Sequence, residues 1–67
     1  MTIYNQRTKD SLRLDIHSFK DMNHLIEFIH DITGWGSNNS ELRNVNNHKI
    51  KKEFSLLDNN GSYELIN

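Results

Sequence analysis

Alanine, proline and cysteine are all missing from this 67-residue chain. Without cysteine there is no disulfide framework, no thiolate metal site and no cysteine nucleophile, so the usual staples of a small scaffold are excluded. Without proline, turns must rest on asparagine and glycine. No apolar run approaches the ~18 residues of a membrane span, and Met1 to Arg7 lacks the apolar core of a signal peptide, so the chain reads as soluble and cytoplasmic. An excess of either charge is absent as well: eight Lys plus Arg stand against nine Asp plus Glu, a formal net charge of −1. Bulk electrostatics therefore single out no partner, whereas nucleic-acid binders usually show a basic excess or a basic face.

What is present in excess is asparagine, ten residues of it, together with isoleucine and lysine. These are residues of A/T-rich codons, which points to a low-GC microbe or one of its phages. The length gives one domain over residues 1–67, and a chain this short buries only ~60% of its unfolded surface. With 34% hydrophobic residues, a thin core of one helix on one sheet is expected, helped by self-association as a homodimer or by a partner surface.

Leu12, Leu14 and Ile16 alternate with Arg13, Asp15 and His17, the pattern of a half-buried strand over residues 11–17. Ahead of it, Ile3 and Tyr4 leave open a further strand over Thr2 to Arg7, hairpinned through Thr8, Lys9 and Asp10. Met22, Leu25, Ile26, Ile29 and Ile32 recur at helical spacing behind Ser18 as a cap and before Gly34 as a stop. They predict a helix from about Phe19 to Thr33. Gly34 to Asn47 is polar, with at most one or two helical turns supported by Asn38, Glu41, Leu42 and Val45. Finally, Ile50 to Leu56 and Tyr63 to Leu65 flank Asp58-Asn59-Asn60-Gly61. Asn60 and Gly61 suit a type I′ turn that would set Leu56 opposite Leu65 and Asp58 opposite Tyr63. The expected architecture is α+β, ordered β(β)αββ, with one amphipathic helix packed on an antiparallel sheet of three or four strands.

Candidate chemistry is sparse. His24, Glu27 and His30 share a helix with Asp31, but two histidines six apart do not meet on one face as zincin ligands four apart do. No metal site, cofactor or catalytic residue is assigned, because the serines lack an obvious His or acid orienter and so small a domain encloses little space. The best functional candidate is the lone tryptophan, Trp35, between Gly34 and Gly36. Its ring either covers the end of the core or anchors a partner, with Asn38, Asn39, Glu41 and Arg43 as a polar rim. His24, Glu27 and Asp31 form a second, acidic candidate surface. Lys49, Lys51 and Lys52 either touch phosphates, with Tyr63 or Trp35 stacking on bases, or protect an edge strand from sheet-to-sheet pairing.

From Asp21 to Leu42, a helix followed by Trp35-Gly36-Ser37-Asn38 and then Glu41-Leu42 resembles a stretch of the barstar family. There a helix leads to an aromatic-Gly-x-Asn loop and a second, acidic helix that blocks a ribonuclease. The resemblance implies a contact surface at Trp35, Gly36, Asn38 and Glu41, although Asn39 and Ser40 stand where acids belong and the preceding proline is absent. The function expected from all of this is a small non-enzymatic interaction module, phage or mobile-element encoded, that inhibits or modulates a host protein. The alternatives are a nucleic-acid-binding regulator and a barstar-like nuclease inhibitor.

Overall fold

The computed structural model describes residues 1–66. Two hairpins are the first structural units, and both are built around an asparagine. In the first, β1 (Thr2–Asn5) pairs antiparallel with β2 (Ser11–Arg13). Asn5 Oδ1 accepts from the N–H groups of Arg7 and Thr8 at 2.8 and 3.2 Å, while the Lys9 N–H donates to the Asn5 carbonyl at 2.9 Å. In the second, β3 (Glu41–Asn44) pairs antiparallel with β4 (Ile50–Lys51). Asn44 Oδ1 accepts from Asn46 and Asn47 at 2.8 and 3.1 Å, and the His48 N–H donates to the Asn44 carbonyl at 2.9 Å. Each turn closes through a residue at positive φ, Lys9 at 67° and His48 at 60°. Side-chain amide oxygens thus occupy backbone donors that the tight reversal leaves without strand partners.

Between the hairpins lies α1 (Met22–Thr33). Asp21 caps it, its carboxylate accepting from the His24 N–H at 2.8 Å, and Gly34 ends it in the left-handed region at φ 76°, its N–H donating to the His30 carbonyl. After a 3-10 turn at Phe54–Leu56, β5 (Ser62–Ile66) enters the middle of the sheet. It runs parallel to β1 and antiparallel to β3, giving the order β2-β1-β5-β3-β4. The chain is therefore a small compact α+β domain with one helix on a five-strand mixed sheet.

Register fixes the core. Ile3 stands opposite Tyr63, Leu42 opposite Leu65, and all four turn toward the buried stripe of α1, Leu25, Ile26 and Ile29. Met1, Ile16 and Leu57 complete the buried cluster, with Trp35 and Phe54 packed against it. Fully burying one such side chain contributes ~1.5–3 kcal/mol, so a handful of residues carries the fold. Asn59 ties the strand ends to it, its Oδ1 accepting from the Ile16 N–H at 2.8 Å and from the Met1 amino nitrogen at 3.4 Å.

Several expectations are corrected. The sheet has five strands rather than three or four and is mixed, because β5 lies beside β1 in parallel. The strand expected over residues 11–17 stops at Arg13, since Asp15 caps a 3-10 turn at Ile16–Ser18 by accepting from the His17 N–H. Phe19 is then extended, which moves the helix start from Ser18 to Asp21. The helical turns sought between Gly34 and Asn47 are absent: Glu41–Asn44 is strand β3, so the second helix implied by the barstar resemblance is not formed. Nor does a hairpin turn on Asn60-Gly61. Leu56 is 55% exposed instead of facing Leu65, and Gly61 lies against the Tyr63 ring without positive φ. Asp58 meets Tyr63 differently from a strand pair, its N–H donating to the phenolic oxygen at 2.8 Å.

Candidate functional site

Helix α1 ends in a short, well-tied loop. Thr33 Oγ1 donates to the Ile29 carbonyl and accepts from the Trp35 N–H at 3.1 Å, which fixes where the indole leaves the helix. Gly36, again at φ 76°, passes so near Ser40 and Leu65 that a Cβ there would stand 2.6 Å from Ser40 Oγ and 2.8 Å from Leu65 Cδ2. Ser40 is buried and its Oγ accepts from the Ser37 N–H at 2.7 Å. Only glycine meets both demands at position 36, and its fit seats the Trp35 loop on the end of β5.

The first hairpin turn stands across from this loop. Between them, where the parallel strands β1 and β5 both end, lies a cleft of about 370 Å³ lined by Asn5, Gln6, Arg7, Thr8, Gly34, Trp35, Gly36 and Leu65. Trp35 is half-buried: it packs against the core cluster and also lines the cleft. Of the polar lining, Asn5 is held by its turn bonds and Thr8 Oγ1 donates to Asp10 at 3.0 Å. Among the described residues the Arg7 guanidinium has no acceptor.

The rim residues expected around Trp35 are distributed over three surfaces. Asn38 borders a separate depression of about 390 Å³ with Asn23, Ile26 and Glu27. Asn39 is exposed in the turn before β3. Glu41 and Arg43 belong to β3, where Arg43 turns to the sheet face opposite α1 and binds Glu64 through Nε and Nη2 at 3.1 and 3.0 Å. That face also presents half-buried Tyr4, Ile50 and Ile66, while the helix and the segments bearing Ile16, Trp35 and Leu57 pack on the other.

On the helix surface, His24 Nδ1 accepts from the Lys20 N–H at 3.2 Å and the ring meets Phe19 edge-on at 5.3 Å. Glu27 reaches the Asn38 depression, whereas Asp31 is exposed elsewhere along α1. Among the described residues no three His, Cys, Asp or Glu side chains converge as metal ligands. Lys49 lies in the second hairpin turn, Lys51 stands opposite Leu42 on edge strand β4, and Lys52 follows it, exposed. Tyr63 is 2% exposed, so stacking of its ring on a base is ruled out.

Arg7, Gln6 and Thr8 were not legible as site residues. Their local signal, an asparagine ahead of a polar run, marks a turn and says nothing of the loop some thirty residues on that it faces. The class defined by the fold is thus a small α+β domain with one helix on a mixed sheet and a cleft at one sheet end. No family model, curated protein or solved structure matches the chain. Among the described residues no helix is long and apolar enough to cross a membrane.

Proposed function

We propose that this chain is a small non-enzymatic interaction module that binds a host protein in the cytoplasm and inhibits or redirects it, of the kind phages and mobile elements encode. One observation carries the reading: the lone Trp is half-buried on a rigidly tied loop and walls an open cleft. An indole held at one edge and accessible at the other loses little entropy on contact, as interface anchors require. The cleft lining offers amides, an indole and a guanidinium, groups suited to recognition. Affinity capture from host lysate with wild type and Trp35→Ala tests it. Partners retained by the wild type and lost by the variant are expected; an unchanged partner list refutes a Trp35-centred interface.

Two further readings have their own supports. Nucleic-acid binding rests on Lys49, Lys51 and Lys52 along one sheet edge, and requires affinity that falls steeply with salt. No binding at low salt removes it. A homodimer would stack the bare sheet faces bearing Tyr4, Ile50 and Ile66, and a monomeric mass by light scattering at micromolar concentration refutes it.

A further inference from the structure

We propose that the cleft between the first hairpin turn and the Trp35 loop receives an acidic segment of the partner protein. A large apolar side chain of that segment lies against Trp35, and a neighbouring carboxylate meets Arg7. The inference rests on the interaction reading above and specifies the chemistry of the partner.

The two walls of the cleft differ. One is apolar, formed by Trp35, Leu65 and the bare backbone of Gly34 and Gly36; the other is the polar turn from Asn5 to Thr8. A volume of about 370 Å³ lies at the low end of the ~300–1,000 Å³ of ligand sites, room for one large side chain with its immediate flanks. Among the described residues Arg7 is the one charged lining group, and Lys9 follows two residues on in the same turn. The nearest acid in that turn, Asp10, already accepts from Thr8 Oγ1. Among the described residues this turn therefore carries two cations, Arg7 and Lys9, against the one carboxylate of Asp10, a local positive excess beside an apolar floor on a chain whose net charge is −1. A basic segment would face Arg7 unpaired, and an uncharged one would leave the guanidinium without its complement. Arginine and tryptophan are also among the residue types enriched at the energetic hot spots of protein interfaces. A free nucleotide strand is disfavoured because the polar wall offers one guanidinium for a string of phosphates.

The sole tryptophan makes the site its own reporter. Peptides centred on phenylalanine or leucine, flanked by Asp and Glu, by Ser and Gln, or by Lys and Arg, are titrated against the protein while Trp35 emission is followed. A short oligothymidylate serves as a further arm. The acidic set should shift the emission and saturate, and should bind roughly three- to tenfold more tightly than the neutral set at low salt. Arg7→Glu should reverse that order. The Arg7 backbone N–H, rather than its side chain, makes the turn bond to Asn5, so the exchange leaves the turn intact, as an unchanged far-UV spectrum would show. Equal affinity for acidic and neutral peptides, preference for the basic set or the oligonucleotide, no saturable signal, or indifference to Arg7→Glu each overturns the proposal. Partners captured from lysate that depend on Trp35 but not on Arg7 would defeat the acidic-segment inference and leave the interaction reading standing. Loss of Trp35 dependence would defeat both.

Discussion

Gly34→Ala and Gly36→Ala place the same methyl group at the same φ of 76°, in two different surroundings. At Gly34 nothing lies within 4 Å of the added carbon, so the cost is backbone strain alone, ~1–2 kcal/mol. At Gly36 the carbon would stand 2.6 Å from Ser40 Oγ and 2.8 Å from Leu65 Cδ2. Overpacking of that kind costs about 1–3 kcal/mol, and moving Ser40 Oγ off the Ser37 N–H costs about 1 more. Gly36→Ala should therefore lose about 3–6 kcal/mol, against a total of roughly 3–10 kcal/mol for a domain of this length. Urea unfolding followed by Trp35 emission and by far-UV circular dichroism measures both variants, and coincident transitions show that the loss is global. Ser40→Ala removes the nearest atom, so the double variant with Gly36→Ala should cost less than the sum of the single ones. If Gly36→Ala proves no costlier than Gly34→Ala, the close seating of the Trp35 loop on Leu65 is not what holds it.

The remaining predictions concern individual bonds. Asn44→Ala frees the Asn46 and Asn47 N–H groups and should cost about 1–2 kcal/mol in thermal unfolding, whereas Asn46→Ala should be near neutral; equal effects would refute the organising role of Asn44. Lys9→Gly and His48→Gly relieve positive φ and should stabilise by up to ~1 kcal/mol, and a lower melting temperature for both would contradict the turn geometry. Asp21→Ala should cost about 1 kcal/mol and Ser18→Ala far less, the reverse order placing the cap back at Ser18. A double-mutant cycle on Arg43 and Glu64 should return a coupling of about 0.5–1 kcal/mol, because both groups remain partly solvated; zero coupling would make the pair incidental.

What the residues disclosed in advance follows from how local the responsible physics is. The helix was legible because Leu25, Ile26 and Ile29 repeat at its own period and Gly34 stops it within the next residue. Its start was displaced because Ser18 and Asp21 are both competent caps, and the choice falls to the Asp15-capped 3-10 turn before them. β3 was illegible: Glu41-Leu42-Arg43-Asn44 holds one buried apolar residue, and only its place between β5 and β4 makes it a strand. Asn60-Gly61 misled because the dipeptide suits a type I′ turn locally, while the Tyr63 ring packed on Gly61 directs the chain into the sheet interior. Trp35 could be singled out from its glycines, but its cleft needed Arg7 and Thr8 from the opposite turn. Asn44 and Asn47, without assignment in the sequence, proved to be the second turn's own scaffold.

The central position of β5 bears on how the chain reaches this structure. Each hairpin joins neighbouring segments, yet neither pairs with the other except through β5, which pairs Thr2 with Ser62 on one side and Asn44 with Tyr63 on the other. Closing that first pair spans nearly the whole chain, a non-local contact of the kind that slows folding. The two hairpins must therefore wait for the strand that joins them, and during synthesis the sheet, and the cleft at its end, assemble only when Ser62 to Ile66 have emerged.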